Sequence, residues 1–316
     1  MPYQKNGKIP ESYDIYPSFK LNDGQIFTDF ELLAKKISSQ SMVIIDGYIG
    51  VNFELFREKL GKVINDLGIR ENWVNIDEAL RPEDEIDQLI RPFMGEEDSI
   101  FGTRATISLQ DYFDMKKLKA LQQNSGADIN IIYGAGAQLS GWRGLLIYID
   151  LPKNELQFRA RAKSINNLGA SQPFEMSAMY KRYYFVDWVV LNQHKKQIIN
   201  DIDWIVDGQH EDAFVWMEGE TLRKGLKTMG ENFFRVRPWF EPGIWGGSWI
   251  KEHIQGLSLE AQNYAWSFEL ITPENGIVFE SSKTLLEVSF DFLMFGEGDA
   301  VMGNDRKKFG DDFPLR

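Results

Sequence analysis

The chain has 316 residues, 43% of them hydrophobic and 26% charged, with no cysteine and a formal net charge of −12. That length provides for about two domains of ~100–200 residues with cores of their own. The acidic balance excludes nucleic acid and anionic membranes as expected partners, and the missing cysteines exclude disulfides, thiolate metal sites and a cysteine nucleophile.

Residues 1–27 are rich in Pro, Tyr and polar side chains and read as an extended lead-in with no apolar signal core. No run of about 18 apolar residues follows anywhere, so the expected compartment is the cytoplasm. A helix is predicted to start at Thr28, whose hydroxyl stands three residues before Glu31, the capping-box spacing. A continuous apolar run over 41–46 predicts a strand, followed by Gly47-Tyr-Ile-Gly50 and an amphipathic helix over 52–67. Its apolar positions Phe53, Phe56, Leu60, Val63, Ile64 and Leu67 share a face, and Gly68 closes it.

The unit recurs. Strands are predicted over 73–76, 128–133 and 145–150, and helices over 83–90 and 109–121. After Pro152 comes a helix carrying Glu155, Arg159 and Arg161, then a long aromatic helix over 176–202. Short strands over 203–207 and 213–217 and a helix over 220–229 complete the pattern. Strands alternating with helices predict an α/β domain over 28–230, a parallel sheet with helices on both faces. Past 230 the texture turns to Pro, Gly and aromatics, so a second domain is placed at 231–316, with strands over 265–270 and 276–280 and a helix over 284–294.

A strand entering a glycine turn that opens a helix can present backbone N–H groups and the positive helix end to an anion. A working nucleotide loop would need G-x-x-x-x-G-K-[ST]; here Asp46-Gly47-Tyr48-Ile49-Gly50-Val51-Asn52 has neither Lys nor Ser/Thr in place. The later segment from Tyr148 to Arg161 (YIDLPKNELQFRAR) resembles the strand–Asp–x–Pro–helix–Arg pattern of small nucleoside and nucleotide kinases such as uridine kinase. The resemblance implies a degenerate P-loop-like, kinase-like domain without phosphoryl transfer. It would hold a phosphorylated small molecule near Gly47, Gly50, Arg104, Arg159 and Arg161, since guanidinium groups suit phosphate. The plain alternative is an α/β domain with ordinary turn glycines and solvated arginines.

The most distinctive run is Arg237 to Lys251, RPWFEPGIWGGSWIK, with Trp245, Gly246 and Gly247 at its centre. Ordered after it come NYAWSFEL from Asn263, SKTLLEV from Ser282 and DFPLR from Asp312. Together they resemble the opening of class I, metal-dependent mannose-6-phosphate isomerases, in which the third segment starts a helix. The resemblance implies a partial all-β jelly-roll (cupin) segment and, for the complete family domain, a Zn²⁺ held by a Gln/Lys-x-His pair, a Glu and a further His. Those ligands would follow the F-P-L strand, where this sequence stops, so residues 1–316 are expected to carry no metal ligands of that set, no cofactor of their own and no isomerase activity. His194, His210 and His253 lie at no common metal spacing and read as surface residues. An incomplete barrel exposes sheet edges, which predicts self-association into a homo-oligomer. The competing reading is a non-catalytic module that binds a sugar phosphate or nucleotide on a lysine-less kinase-like fold.

Overall fold

A computed structural model describes residue 4 and residues 18–96, 102–231, 255–256 and 276–289. The Trp245–Gly247 motif, His253, the strand expected over 265–270 and the DFPLR segment lie outside the described residues. In chain order the elements are β1 (Ser18–Lys20), α1 (Phe30–Ser38), β2 (Met42–Gly47), α2 (Phe53–Asp66), β3 (Glu71–Asn75) and α3 (Glu83–Ile90). Then come α4 (Met115–Ala120), β4 (Ile129–Tyr133), β5 (Leu145–Asp150), α5 (Lys153–Arg161), α6 (Met176–Arg182) and α7 (Trp188–Ile198). The last are β6 (Trp204–Asp207), β7 (Val215–Glu218), α8 (Gly219–Gly230), β8 (Gly276–Ser281) and β9 (Thr284–Ser289).

Six strands form one sheet in the order β3-β4-β2-β5-β6-β7, parallel except for β7, which runs antiparallel to β6. The central strands read as unbroken apolar runs because both of their faces are covered. Alternation sorts their side chains: Val43 and Ile45 of β2 pack with Leu33, Ile37, Phe56, Leu60 and Ile64 of α1 and α2. Ile44 points the other way, into a core with Ile132, Leu146, Tyr148, Tyr183 and Val190. The mixed α/β architecture with helices on both faces is as expected from the sequence. Among the described residues, no helix is long and apolar enough to cross a membrane.

Several boundaries differ. The cap of α1 is Asp29 rather than Thr28; its carboxylate accepts from the Leu32 N–H at 2.9 Å, and the expected capping box is not formed. The helix expected over 109–121 is broken into a 3₁₀ turn (Leu109–Tyr112) and α4, because Asp114 caps a new start by accepting from the N–H groups of Lys116 and Lys117. The long aromatic helix carries a π turn at Tyr183–Asp187, which buries Asp187 against Arg182 and Asn167.

The largest correction concerns 284–294, read as a helix and as a helix start in the isomerase comparison. Thr284–Ser289 is instead β9, the second strand of a hairpin with β8. Ser282 and Lys283 form its two-residue turn with φ of +50° and +75°, the left-handed geometry that suits hairpin twist. β8 also pairs in parallel with β1, giving a second sheet in the order β1-β8-β9. This small sheet packs on the α/β body: Ile277, Phe279, Leu286 and Val288 belong to the core that contains Tyr148 and Leu222. Phe279 reaches α8 because Gly225 has no side chain; a Cβ there would stand 2.8 Å from the ring.

Candidate functional site: a polar cleft at the carboxyl ends of the parallel strands

In an open parallel sheet, ligands bind outside the carboxyl ends of the strands, where neighbouring connections leave in opposite directions. Here β2 leads through α2 toward β3 on one side, and its neighbour β5 leads toward β6 on the other. A cleft of about 1100 Å³ opens at that place. Its walls come from the segments following β2, β3, β4, β5 and β6, so five chain turns converge on it.

From β2 the chain turns through Gly50, held at φ +80°, a conformation that favours glycine, and enters α2 at Asn52, whose side chain accepts from the Leu55 N–H. That start aims Glu54 into the cleft, where it accepts from the Tyr133 hydroxyl at 2.7 Å and from Arg57 Nε at 2.7 Å. Tyr133 ends β4, and Asn75 and Asp77 come from the turn after β3. Burial pushes the Glu54 carboxyl up, but the bonds from Tyr133 and Arg57 outweigh it, and the group titrates below its ordinary value. Asp77 is shifted the opposite way, by burial first and then by the Glu54 charge. The Tyr133 phenol is held far above its usual range by burial and by its bond to Glu54. Two carboxyls whose environments drive them apart thus face one cavity.

Arg159 closes the far wall. Its guanidinium donates to the Gly50 carbonyl at 3.0 Å and the Gly208 carbonyl at 3.0 Å, and to Glu155 at 3.1 Å, and it lies 3.4 Å from Glu211. With its side chain only 11% exposed, it clamps the turn after β2 to the loop after β6 and is not a solvated arginine.

The other expected residues are distributed differently. Gly47 ends β2 behind the cleft, packed so closely that a Cβ would stand 2.5 Å from the Ile149 carbonyl oxygen. Arg104 is exposed on the 102–108 segment, and Arg161 is exposed with its guanidinium 5.9 Å from the Phe158 ring centre; neither lines the cleft. The structure therefore brings together Gly50 and Arg159 and leaves Arg104 and Arg161 apart. Glu54, Asp77 and Tyr133 were not singled out from sequence, although Tyr133 ends β4 and the other two lie in the segments after β2 and β3, which is where that rule would direct attention.

The glycine turns face an internal anion. The Asp46 carboxylate accepts from the N–H groups of Gly47 (2.7 Å), Gly136 (2.8 Å) and Gln138 (2.9 Å), and His194 Nε2 lies 2.7 Å from its other side. Of the candidate phosphate turn the Gly47 N–H is thus engaged by the chain's own aspartate, while Gly136 and Gln138 belong to the turn after β4. His194 is consequently buried, 2% exposed, and not the surface residue expected from its Lys195 and Lys196 neighbours. His210 does line the cleft.

The cleft's ionisable lining is mainly acidic: Glu54, Asp77, Glu155, Glu211 and Asp212 stand against Arg159. Among the described residues, no group of three or more His, Asp or Glu side chains is placed to hold a metal ion. No curated protein matches the chain. The family described as "Domain of unknown function (DUF8485)" matches residues 29–231, most of the chain, and the chain belongs to that family.

Proposed function

We propose that residues 29–231 form a small-molecule-binding module whose cleft takes a polyhydroxylated ligand of sugar or nucleoside class. One observation carries this reading: a cleft of about 1100 Å³ at the switch point of a parallel sheet, walled by hydrogen-bonding side chains from five turns. That volume is slightly above the ~300–1,000 Å³ usual for small-molecule sites. Carboxylates such as Glu54 and Asp77 accept from ligand hydroxyls, as ribose and sugar rings require. A phosphate on the ligand finds less support. Arg159, the cleft's guanidinium, already has acceptors, and the five carboxylates repel an anion. Kinase chemistry has less still, because no lysine follows Gly50 in the turn.

The test is a thermal-shift panel of monosaccharides, nucleosides and their phosphates against the full chain. A rise in Tm with hydroxylated ligands is expected, and Glu54→Gln and Asp77→Asn should each abolish it without lowering the apo Tm. A flat response across the panel would sink the proposal; a response to the phosphorylated forms alone would replace it with the sugar-phosphate reading.

A second reading, that the chain is related to mannose-6-phosphate isomerases, rests on the ordered motif matches between Phe233 and Arg316. The hairpin β8–β9 is the element type that a jelly-roll segment would need, although its partner here is β1. A coupled assay of mannose 6-phosphate conversion with added Zn²⁺ should register no turnover, and robust turnover would reverse this expectation.

A further inference from the structure

β9 runs along the α/β body; among the described residues its strand partner is β8, and on Thr284 it also carries an isolated antiparallel bridge to Gln4. A free edge presents N–H and C=O groups at every second residue, and burying them unpaired would be costly. At Glu287 and Ser289 they meet side chains instead of a strand. The Glu287 N–H donates to Asp207 at 2.9 Å, and the Ser289 N–H donates to Asp150 at 2.8 Å. Lys195 Nζ donates to the Ser289 carbonyl and to Asp150. Three side chains thus reproduce the pattern of a neighbouring strand over residues i and i+2.

The three are built into the family domain and held there independently of β9. Asp150 ends β5 and Asp207 ends β6, paired neighbours in the sheet, while Lys195 comes from α7. Asp207 is oriented by the Gln209 N–H at 3.0 Å and by the Gln209 side-chain amide. Asp150 and Lys195 form an ion pair in which both side chains are 0% exposed. The strand they grip lies outside the segment matching the family, 29–231. Leu285, Leu286 and Val288 add apolar contact, each fully buried.

We propose that Asp150, Asp207 and Lys195 form a peptide-strand binding site on the family domain, one that reads the backbone of an extended segment at alternate residues and is filled in cis by Thr284–Ser289. Recognition through the main chain is the logic of strand addition to a sheet edge, with side chains standing in for the edge. The three side chains do not line the cleft, although Gln209, which orients Asp207, does.

The test vacates the site in the full chain and refills it. Leu286→Asp places a charge in the core beneath the hairpin and should release it. A fluorescein-labelled peptide of residues 276–289 should then bind the variant and not the wild-type chain by anisotropy. Adding Asp150→Asn and Asp207→Ala should weaken that binding about tenfold or more, as loss of hydrogen bonds to charged groups predicts. Equal binding to wild type and variant, or binding indifferent to the two aspartates, would overturn the proposal. Hydrogen exchange of full-chain Asp207→Ala keeps it testable if Leu286→Asp does not fold. Residues 284–289 should exchange about tenfold faster while β2 and β5 keep their protection. Unchanged exchange in 284–289, or loss of protection in hairpin and sheet together, would overturn it as well.

Discussion

The cleft and the strand site use the same kinds of side chain at the same end of the sheet, with opposite physical outcomes. In the cleft, Glu54, Asp77 and Arg159 border open volume, and water remains available to satisfy what the protein leaves unmade. Beneath β9, Asp150, Asp207 and Lys195 are sealed off, at 0%, 2% and 0% exposure, and nearly every hydrogen-bonding valence is taken by a defined atom. Charges that solvent can reach contribute little to stability and stay available for ligands, whereas charges excluded from solvent become obligatory to the fold. One end of one sheet thus carries both an open set of charges and a sealed one.

The sharpest way to break this contrast is Lys195→Ala. It leaves the buried Asp150 carboxyl without its lysine partner, which should cost about 3–5 kcal/mol in denaturant unfolding. A loss below about 1 kcal/mol would mean that the strand site is as solvent-tolerant as the cleft.

A pH series gives the next largest effect. Burial first, with the neighbouring Glu287 charge adding to it, pushes the Asp207 carboxyl up to about 7 from an ordinary 3.8. Between those values the folded chain holds a proton that the unfolded chain has released, so stability falls as pH rises through that window and levels off above about 7. The fall should reach at most about 4 kcal/mol, and Asp207→Asn should flatten it. A wild-type profile that rises with pH across that interval would contradict the sign.

The smallest of the three effects belongs to the cleft wall. Arg159→Ala frees the carbonyls of Gly50 and Gly208 at the border of an open cavity, where water can replace the guanidinium. The expected cost is about 1–2 kcal/mol. The two loops it joins should loosen, so the ligand-induced Tm shift should shrink in Arg159→Ala more than the apo Tm does.

Much of the α/β domain was legible before any coordinates. The run Met42 to Ile45, the glycine turn and the apolar positions Phe53 to Ile64 of α2 are local patterns, and each became the element expected of it, whereas Leu67 caps the helix end and is exposed. The 284–289 segment was misread because Leu285, Leu286 and Val288 suit a helix face as well as a strand, and Ser282-Lys283 is not the Asn-Gly pair that announces a two-residue hairpin. His194 was misread because its sequence neighbours are lysines, whereas its burial depends on Asp46, 148 residues away. Of the cleft, Gly50 and Arg159 were anticipated, while Glu54, Asp77 and Tyr133 acquire meaning only once β2, β3 and β4 lie side by side.

The sequence by itself determined where strands and helices alternate, because hydrophobic period and end-capping residues act within a few positions. The tertiary structure decided which charges are buried and what they hold. Asp150, Lys195 and Ser289 span 139 residues of chain, and only the sheet order and the docking of α7 and β9 bring them within hydrogen-bond reach of one another. Desolvation follows from that assembly, and with it comes the difference between a carboxylate open to ligands and one that holds the fold together.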